Sequence, residues 1–366
     1  MRKSRYKWLI AIYVVVLVII TTDYYTGAAR GNQATPVQNS IANGIVRYTS
    51  DAYDAFSGWD WFVDPKTSIG IGVAKDGFLS KYGPKIHPID MNNPQPWSGG
   101  EYFCDPDTMI LAKTKSSYNI VYGSYLNWEK DRYLSDDKLL ARQSFRFNAA
   151  EGLRTNLSPE VTKSVSSPKL DIREDHTLVS GKPWVETTVT ITNKYPEPAD
   201  LLYIYQDAAF MWLPDQNQSK VETLIVNANN TMISNQFESI PTSEKVVVGT
   251  YHKEKKVYGG IYTDNPYALT GISSNYLLFN ELENDTTIER KFVDSTPRDI
   301  NETVSLIEEE SKKSDGDYKI RFVAFPVMNL EPDKMVTLRF YRIAFQDENI
   351  KDQKQIAQKI LQNIPK

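Results

Sequence analysis

The fold class of this chain is decided by one stretch, Trp184-Val185-Glu186-Thr187-Thr188-Val189-Thr190-Ile191-Thr192-Asn193. Its side chains alternate, with Val, Thr, Val and Ile at the odd positions and Glu or Thr at the even positions. A period of two residues built on β-branched side chains is typical of a half-buried strand whose apolar side faces the core. The stretch therefore predicts one strand of an antiparallel sheet.

Strand character extends over most of the chain. Ten further segments show it: Thr67–Val73, Gln143–Phe147, Leu170–Arg173, Leu201–Tyr205, Glu222–Val226, Lys245–Tyr251, Val257–Tyr262, Tyr276–Phe279, Tyr318–Phe325 and Met335–Phe345. Short polar turns separate them, and no helical segments alternate with them, which favours an antiparallel architecture. We therefore expect one large β-sandwich of the supersandwich kind over residues 46–346.

The C-terminal tail, residues 347–366, has a helical period instead. Its apolar residues form one stripe: Ile356, Ala357, Ile360, Leu361 and Ile364. This spacing predicts an amphipathic helix over residues 350–364 that covers part of a sheet. The stretch Asp299–Lys312 fits a helix or a strand, and its sequence does not distinguish them.

The N-terminus carries a membrane-targeting pattern. Arg2, Lys3, Arg5 and Lys7 precede thirteen apolar residues, Trp8–Ile20. Cations before an apolar run hold the N-terminus inside, so we expect the rest of the chain outside the cytoplasm. Two alternatives remain open for residues 1–25, a cleaved signal peptide and a retained signal anchor.

The length of the apolar segment is compatible with both a signal peptide and a signal anchor. Thirteen helical residues span about 20 Å, less than a bilayer core of ~30 Å, which favours a signal peptide. Counted from Tyr6 to Tyr25, the segment has twenty residues and aromatic ends, which favours an anchor. A cleavage site is available at Gly27-Ala28-Ala29. Residues 26–45 are small and polar and predict a flexible linker.

Charge and cysteine content exclude several classes of protein. The formal charge is −4 overall, and it becomes −8 when the four cations before Trp8 are removed. An acidic body disfavours nucleic acid as a partner, because nucleic-acid binding requires a basic patch. Cys104 is the only cysteine, so no internal disulfide forms. We expect Cys104 to be a structural thiol, because Asp105 and Asp107 beside it disfavour a thiolate.

A resemblance to a known family is carried by the central strands. Lys182-Pro183-Trp184-Val185 leads into the alternating strand, which ends in Thr192-Asn193 before a turn with proline and the apolar segment Leu201–Tyr205. This pattern resembles the central strands of galactose mutarotase-like supersandwich domains. The resemblance implies a carbohydrate-associated protein, since such domains occur in carbohydrate-processing enzymes and glucan-synthesis periplasmic proteins, and also in the exported part of membrane insertases.

Mutarotase chemistry, as the resemblance implies it, uses two histidines and a glutamate base. This chain has three histidines. We expect His176 in a turn between strands and His252 in a basic hairpin, which leaves the loop residue His87 as the one candidate. The departure from the family pattern disfavours epimerase activity.

Tryptophans are concentrated between Asp51 and Trp128, among loops rich in Gly, Pro, Asp and Asn. Aromatic rings beside carboxylates suit sugars, which present apolar C–H faces and hydroxyl groups together. The ligand-binding residues predicted on this basis are Trp59, Asp60, Trp61, Asp64, His87, Trp97 and Glu101. In the alternative interpretation these tryptophans seal the core of an N-terminal lobe.

Other motifs are weaker. Asp105 and Asp107 have carboxylates that suit Ca²⁺, but no ordered ligand spacing accompanies them, so we expect a solvated acidic loop and neither a metal nor a cofactor. No catalytic residue can be assigned, and Asp207 with Asp215 is only one of many carboxylate pairs. Glycosylation sequons occur at Asn156, Asn217, Asn229, Asn284 and Asn301.

Three functions follow from these patterns. The first is a membrane-tethered, extracytoplasmic protein that binds carbohydrate or scaffolds the processing of envelope polysaccharide. The second is a carbohydrate-active lyase, epimerase or hydrolase with its site in the Trp-rich lobe. The third is a structural or assembly ectodomain without a ligand.

Overall fold

The computed structural model describes residues 44–49, 59–67, 69–74, 85–88, 104–155, 157, 166–208, 221–226, 232–234, 239–241, 247–254, 256–273, 319–347 and 349–365. The predicted membrane segment, nearly all of the linker, and the segments Tyr276–Phe279 and Asp299–Lys312 lie outside these residues. Within the described part of the chain, no helix has the length and apolar character that a membrane crossing requires.

The described residues form nineteen strands and one α-helix. The first ten strands are β1 (Val46–Thr49), β2 (Trp59–Asp64), β3 (Ile69–Ala74), β4 (Lys85–Pro88), β5 (Cys104–Lys113), β6 (Tyr118–Tyr122), β7 (Glu129–Leu134), β8 (Leu140–Phe147), β9 (Leu170–Val179) and β10 (Trp184–Asn193). The remaining elements are β11 (Ala199–Ala208), β12 (Val221–Val226), β13 (Met232–Ser234), β14 (Ser239–Pro241), β15 (Val247–His252), β16 (Val257–Tyr262), β17 (Leu269–Ser273), β18 (Ile320–Leu330), β19 (Met335–Gln346) and α1 (Gln353–Asn363).

These strands make three antiparallel sheets. A nine-stranded sheet has the order β13-β12-β15-β16-β19-β10-β9-β8-β7, and a six-stranded sheet has the order β14-β17-β18-β11-β5-β6. The four strands β1 to β4 form a smaller sheet in sequential order. Large antiparallel sheets and a single α-helix among the described residues confirm the predicted β-sandwich class.

The nine- and six-stranded sheets pack face to face around the main core. Inward residues of β9 and β10, such as Ile172 and Val189, share one buried cluster with Tyr205 of β11 and Phe325 of β18. The Tyr205 ring lies 4.8 Å from the ring of Phe340 on β19, measured between centroids. Aromatic pairs at this separation add to the stabilisation that comes from buried apolar area.

The strand that decides the fold class occupies the position that its pattern predicts. In β10 the odd-numbered residues from Val185 to Asn193 are buried and the even-numbered residues are half-buried. Its neighbours are β9 and β19, with Val189 opposite both Glu174 and Leu338. The nine-stranded sheet therefore has an inner face on the core and an outer face on the other side.

The C-terminal helix covers part of the outer face. Ile356, Ala357 and Ile360 are buried against Tyr341 and Phe345 of β19 and against residues of β12, β15 and β16. Asp352 caps the helix by accepting a hydrogen bond from the Gln355 amide at 2.9 Å. The predicted helix is confirmed, with slightly shorter bounds. Among the described residues, the buried cluster around the helix reaches Trp184 of β10 but includes no residue of β7, β8 or β9.

Two predicted loops are strands. Cys104-Asp105-Pro106-Asp107 begins β5, and His87 lies in β4. The strand β5 lies between β11 and β6, and Met109, Ile110 and Leu111 are all fully buried. A strand buried on both faces has no polar alternation, so a search for a period of two misses it.

Candidate functional site

A network of buried polar side chains crosses the interior between the two large sheets. Its first half centres on His176, which β9 places on the inner face. The His176 Nδ1 atom lies 3.0 Å from Arg342 Nη2 and 3.1 Å from Thr187 Oγ1. Arginine has only donors, so Nδ1 accepts a hydrogen bond and the ring proton is on Nε2. His176 Nε2 lies 3.6 Å from a carboxylate oxygen of Glu174.

Two tyrosines of β11 connect this group to the six-stranded sheet. Tyr203 Oη donates to Glu174 Oε1 at 3.2 Å, and Arg342 Nη1 donates to Tyr205 Oη at 3.3 Å. Burial raises the pKa of both phenols well above the usual tyrosine value. Both hydroxyls therefore remain protonated and tie the two sheets together.

The second half of the network is an ion pair. Arg321 Nε and Nη2 both lie 2.7 Å from Asp207 Oδ1, and Arg321 Nη1 donates to Thr250 Oγ1 at 3.0 Å. Burial raises the pKa of Asp207 to about 6, although Arg321 and Tyr205 favour the ionised form. The pair links β11, β18 and β15.

The network is enclosed. His176 and Glu174 are each 1% exposed, and Asp207, Arg321 and Arg342 have no exposed surface. A substrate cannot contact groups in this position, so in the described structure the network joins two sheets. Buried, hydrogen-bonded polar groups of this kind favour one packing arrangement over others.

The outer face of β7 to β10 is different, because in the described structure most of its polar side chains reach solvent. Cross-strand register places Thr190, Arg173, Arg146 and Glu129 in one row. The next row along the strands contains Thr188, Asp175, Ser144 and Asp131. Hydroxyl, guanidinium and carboxylate groups therefore alternate across an open sheet.

A shallow groove of about 270 Å³ lies on this face. Eight of the ten residues that line it have polar side chains, and the full set is Glu129, Arg146, Phe147, Asn148, Glu151, Asp171, Ile172, Arg173, Thr190 and Thr192. We call this set the outer groove. Phe147 and Ile172 are largely buried in the main core, so the polar side chains supply most of the groups available to a ligand.

Charges in the outer groove are fixed by neighbours. Arg173 Nε lies 2.8 Å from Asp175 Oδ2, and Arg146 Nη2 lies 4.0 Å from Asp131 Oδ2. Asp171 accepts a hydrogen bond from the Ala149 amide at 3.0 Å. The 2.8 Å contact orients the Arg173 guanidinium, whereas Arg146, whose contact is longer, has a side chain that is 50% exposed.

Five of the residues predicted to bind a ligand lie in the small sheet of the described structure. Trp59, Asp60, Trp61 and Asp64 all lie in β2, and His87 lies in β4 of the same small sheet. Trp97 and Glu101 lie outside the described residues, as do the five sequons at Asn156, Asn217, Asn229, Asn284 and Asn301. A site that joins these residues stays a prediction.

Two of the predicted residues have clear structural roles. Trp61 is 2% exposed, and its ring covers Gly72 so closely that a Cβ added to Gly72 would lie 2.6 Å from it. Asp64 is fully buried and accepts hydrogen bonds from Thr67 Oγ1 at 2.8 Å, Ser180 Oγ at 3.0 Å and the Gly181 amide at 2.8 Å. Asp64 thus joins the small sheet to the turn between β9 and β10.

The interior network was missed because His176 was expected in a turn. It lies inside β9 instead, and the sequence holds a signal for this. Leu170, Ile172 and Leu178 share one face of a strand, and the same period places Glu174 and His176 on that face. The turn prediction gave weight to polar residues and overlooked the period.

Similarity between this chain and known proteins is found at the level of structure and not of sequence. No protein-family model and no curated protein sequence matches the chain. A galactose mutarotase-like protein from Clostridium acetobutylicum has a TM-score of 0.41 and 8% identity, covering 79% of this chain and 95% of that chain.

Two further solved structures are similar to the same degree. A galactose mutarotase related enzyme from Lactobacillus acidophilus has a TM-score of 0.39 and 8% identity, covering 78% of this chain and 98% of that chain. An aldose epimerase homologue from C. elegans has a TM-score of 0.40 and 10% identity, covering 77% of this chain and 97% of that chain. The chain thus has a weak resemblance to galactose mutarotase-like proteins, and at these identities the likeness concerns the fold alone.

Proposed function

We propose that this chain is an extracytoplasmic carbohydrate-binding protein, tethered by its N-terminal segment, and that the outer groove holds the glycan. The observation that supports this is the lining of the groove. Sugar hydroxyls both donate and accept hydrogen bonds, and the groove offers guanidinium donors, carboxylate acceptors and hydroxyl groups on one open side. Both guanidinium groups, the Glu129 and Asp171 carboxylates and the two threonines belong to strands, whereas Glu151 lies in the turn after β8.

The charge balance of the groove favours a neutral ligand. Three carboxylates and two guanidinium groups line it. A nucleic acid or a strongly anionic polymer requires a positive surface, which this lining does not supply. A neutral polysaccharide of the cell envelope, bound or scaffolded without chemical change, is the ligand class that fits.

The sequence supports the location. The cations before Trp8 and the apolar run behind them indicate export, and the small polar linker would hold the sandwich away from the membrane. The tryptophan-rich segment, with Trp59, Trp97, His87 and Glu101, remains a second candidate surface for the same ligand.

The test of the binding function uses two matched arginines. Arg146 and Arg339 both lie on the outer face, with side chains 50% and 49% exposed and an ion pair to Asp131 and Asp264 respectively, but only Arg146 lines the groove. Affinity electrophoresis of the full chain in gels with amylose, β-1,4-galactan or polygalacturonate measures retention directly.

We expect the wild type to be retarded by a neutral polymer more than by polygalacturonate. Arg146→Ala should lose most of this retardation, because a hydrogen bond to a charged group contributes about 1.5–3 kcal/mol. Arg339→Ala should retain it. Passage of the wild type through all three gels unretarded would overturn the proposal, as would equal losses in the two variants.

A further inference from the structure

An exposed tyrosine continues the outer face beyond the groove. Tyr133 belongs to β7, the edge strand of the nine-stranded sheet, and it is 47% exposed. Glu129, Asp131 and Tyr133 are the exposed residues of this strand and share its outer face. Glu129 lines the groove, so Tyr133 lies on the same face about 13 Å away along the strand.

The orientation of this ring is set by a neighbour. Tyr133 is opposite Arg142 in the ladder, and the guanidinium carbon of Arg142 lies 5.5 Å from the centroid of the tyrosine ring. A cation over one side of the ring leaves the rest of the ring as a fixed aromatic surface. Aromatic rings of this kind pack against the apolar C–H face of a sugar.

Two carboxylates lie on the outer face between the groove and Tyr133. Asp131, Ser144 and Asp175 form the row that lies between them. Ser144 is buried and its Oγ donates to Asp175 Oδ1 at 2.5 Å, so Asp131 and Asp175 are the residues of this row that reach solvent. The row therefore supplies hydrogen-bond acceptors between Glu129 and Tyr133.

The groove alone is small. Its volume of about 270 Å³ lies just below the range of about 300–1,000 Å³ for ligand pockets, so it accommodates a short glycan. We propose that the ligand is an extended oligosaccharide or polysaccharide that occupies the outer groove and runs along β7 to stack one sugar ring on Tyr133. This inference rests on the proposed carbohydrate-binding function and adds the length of the ligand and a second subsite.

The experiment compares short and long forms of one glycan by isothermal titration calorimetry of the full chain. The probes are maltose and maltohexaose if amylose retards the protein, and galactobiose and galactohexaose if galactan does. The variants are Tyr133→Ala, Tyr133→Phe and the control Tyr267→Ala, which removes another exposed tyrosine in the turn between β16 and β17.

We expect Tyr133→Ala to weaken hexasaccharide binding about 3- to 10-fold, which corresponds to the contribution of one aromatic contact. Disaccharide binding should be unchanged, Tyr133→Phe should restore hexasaccharide binding, and Tyr267→Ala should match the wild type. Unchanged hexasaccharide binding in Tyr133→Ala overturns the second subsite while the groove stands. An equal loss for both probes also overturns it, because Tyr133 would then belong to the groove. Absence of any binding by the wild type refutes the proposed function itself.

Discussion

Arg321 Nε lies 2.7 Å from Asp207 Oδ1, and neither side chain has any surface exposed to solvent. The two residues are cross-strand neighbours, on β18 and β11 of the six-stranded sheet. Taking both charges out of water costs free energy, and their attraction offsets this cost only while both are present. The stability of the sandwich therefore depends on the presence of both residues together.

Removal of one partner should be far more damaging than removal of both. We expect Arg321→Met to lower the free energy of unfolding by about 3–5 kcal/mol, because it leaves Asp207 buried without its counter-ion. The double variant Asp207→Leu/Arg321→Met should recover most of this loss. Urea unfolding of the three proteins measures it, and a double variant as unstable as the single one would show that the pair is not the source of the effect.

The same carboxyl group predicts a pH dependence. Its folded pKa of about 6 is above the unfolded value, so the folded state binds the proton more tightly. Asp207 therefore contributes most to the free energy of unfolding below about pH 4. This contribution, about 2–3 kcal/mol at most, is lost as the pH rises through about 6. Denaturant unfolding of the wild type and of Asp207→Asn at pH 4 and pH 7 measures this contribution, because asparagine does not titrate. A difference between the two proteins that does not change with pH would contradict it.

Trp61 and Gly72 predict a test of the small sheet. A methyl group on Gly72 would overlap the Trp61 ring, and overpacking of this kind costs about 1–3 kcal/mol. We expect Gly72→Ala to lower the melting temperature and to alter the fluorescence of Trp61. The pair of changes Gly72→Ala/Trp61→Leu should cost less than the sum of the single changes, because leucine leaves room for the methyl group. If the costs of the two single changes add up to the cost of the double change, the methyl group does not press against the Trp61 ring, because the ring moves aside.

Residues 1–25 predict the topology of the chain. With the N-terminus inside and one crossing or a cleaved signal, protease added to intact spheroplasts should digest the sandwich. A variant with Arg2, Lys3, Arg5 and Lys7 all changed to Asn tests the cause, and part of its sandwich should become protected. Complete protection of the wild-type sandwich would disprove export.

The sequence predicted the large sheets well, for a physical reason. In β10 one face is buried and the other is half-buried, so the residue types alternate with the same period of two. The segment Cys104-Asp105-Pro106-Asp107 was predicted as a loop from its acidic residues, but it begins β5, in which Thr108 to Ala112 are buried on both faces. The type of a residue reflects whether its side chain is buried. In a strand with both faces buried, apolar and polar residues no longer alternate.

The outer groove could not be predicted from the sequence. Arg146 and Arg173 are separated by a long stretch of chain and become neighbours only through the register of β8 with β9. Strand order and register depend on tertiary pairing, which a single sequence does not display. The tryptophan-rich site was predicted from composition alone, and there Trp61 and Asp64 have structural contacts while Trp97 and Glu101 stay predictions.

The central claim is that the glycan binds on the outer face and not in the interior, and threonine methyl NMR tests it most directly. Thr190 and Thr192 line the outer groove, whereas Thr187 of the same strand faces His176 and Thr250 contacts Arg321 inside the sandwich. During titration with the retained oligosaccharide, the methyl signals of Thr190 and Thr192 should shift and saturate, while those of Thr187 and Thr250 stay in place. Shifts at Thr187 and Thr250 with none at Thr190 and Thr192 would contradict the account and place the ligand in the interior.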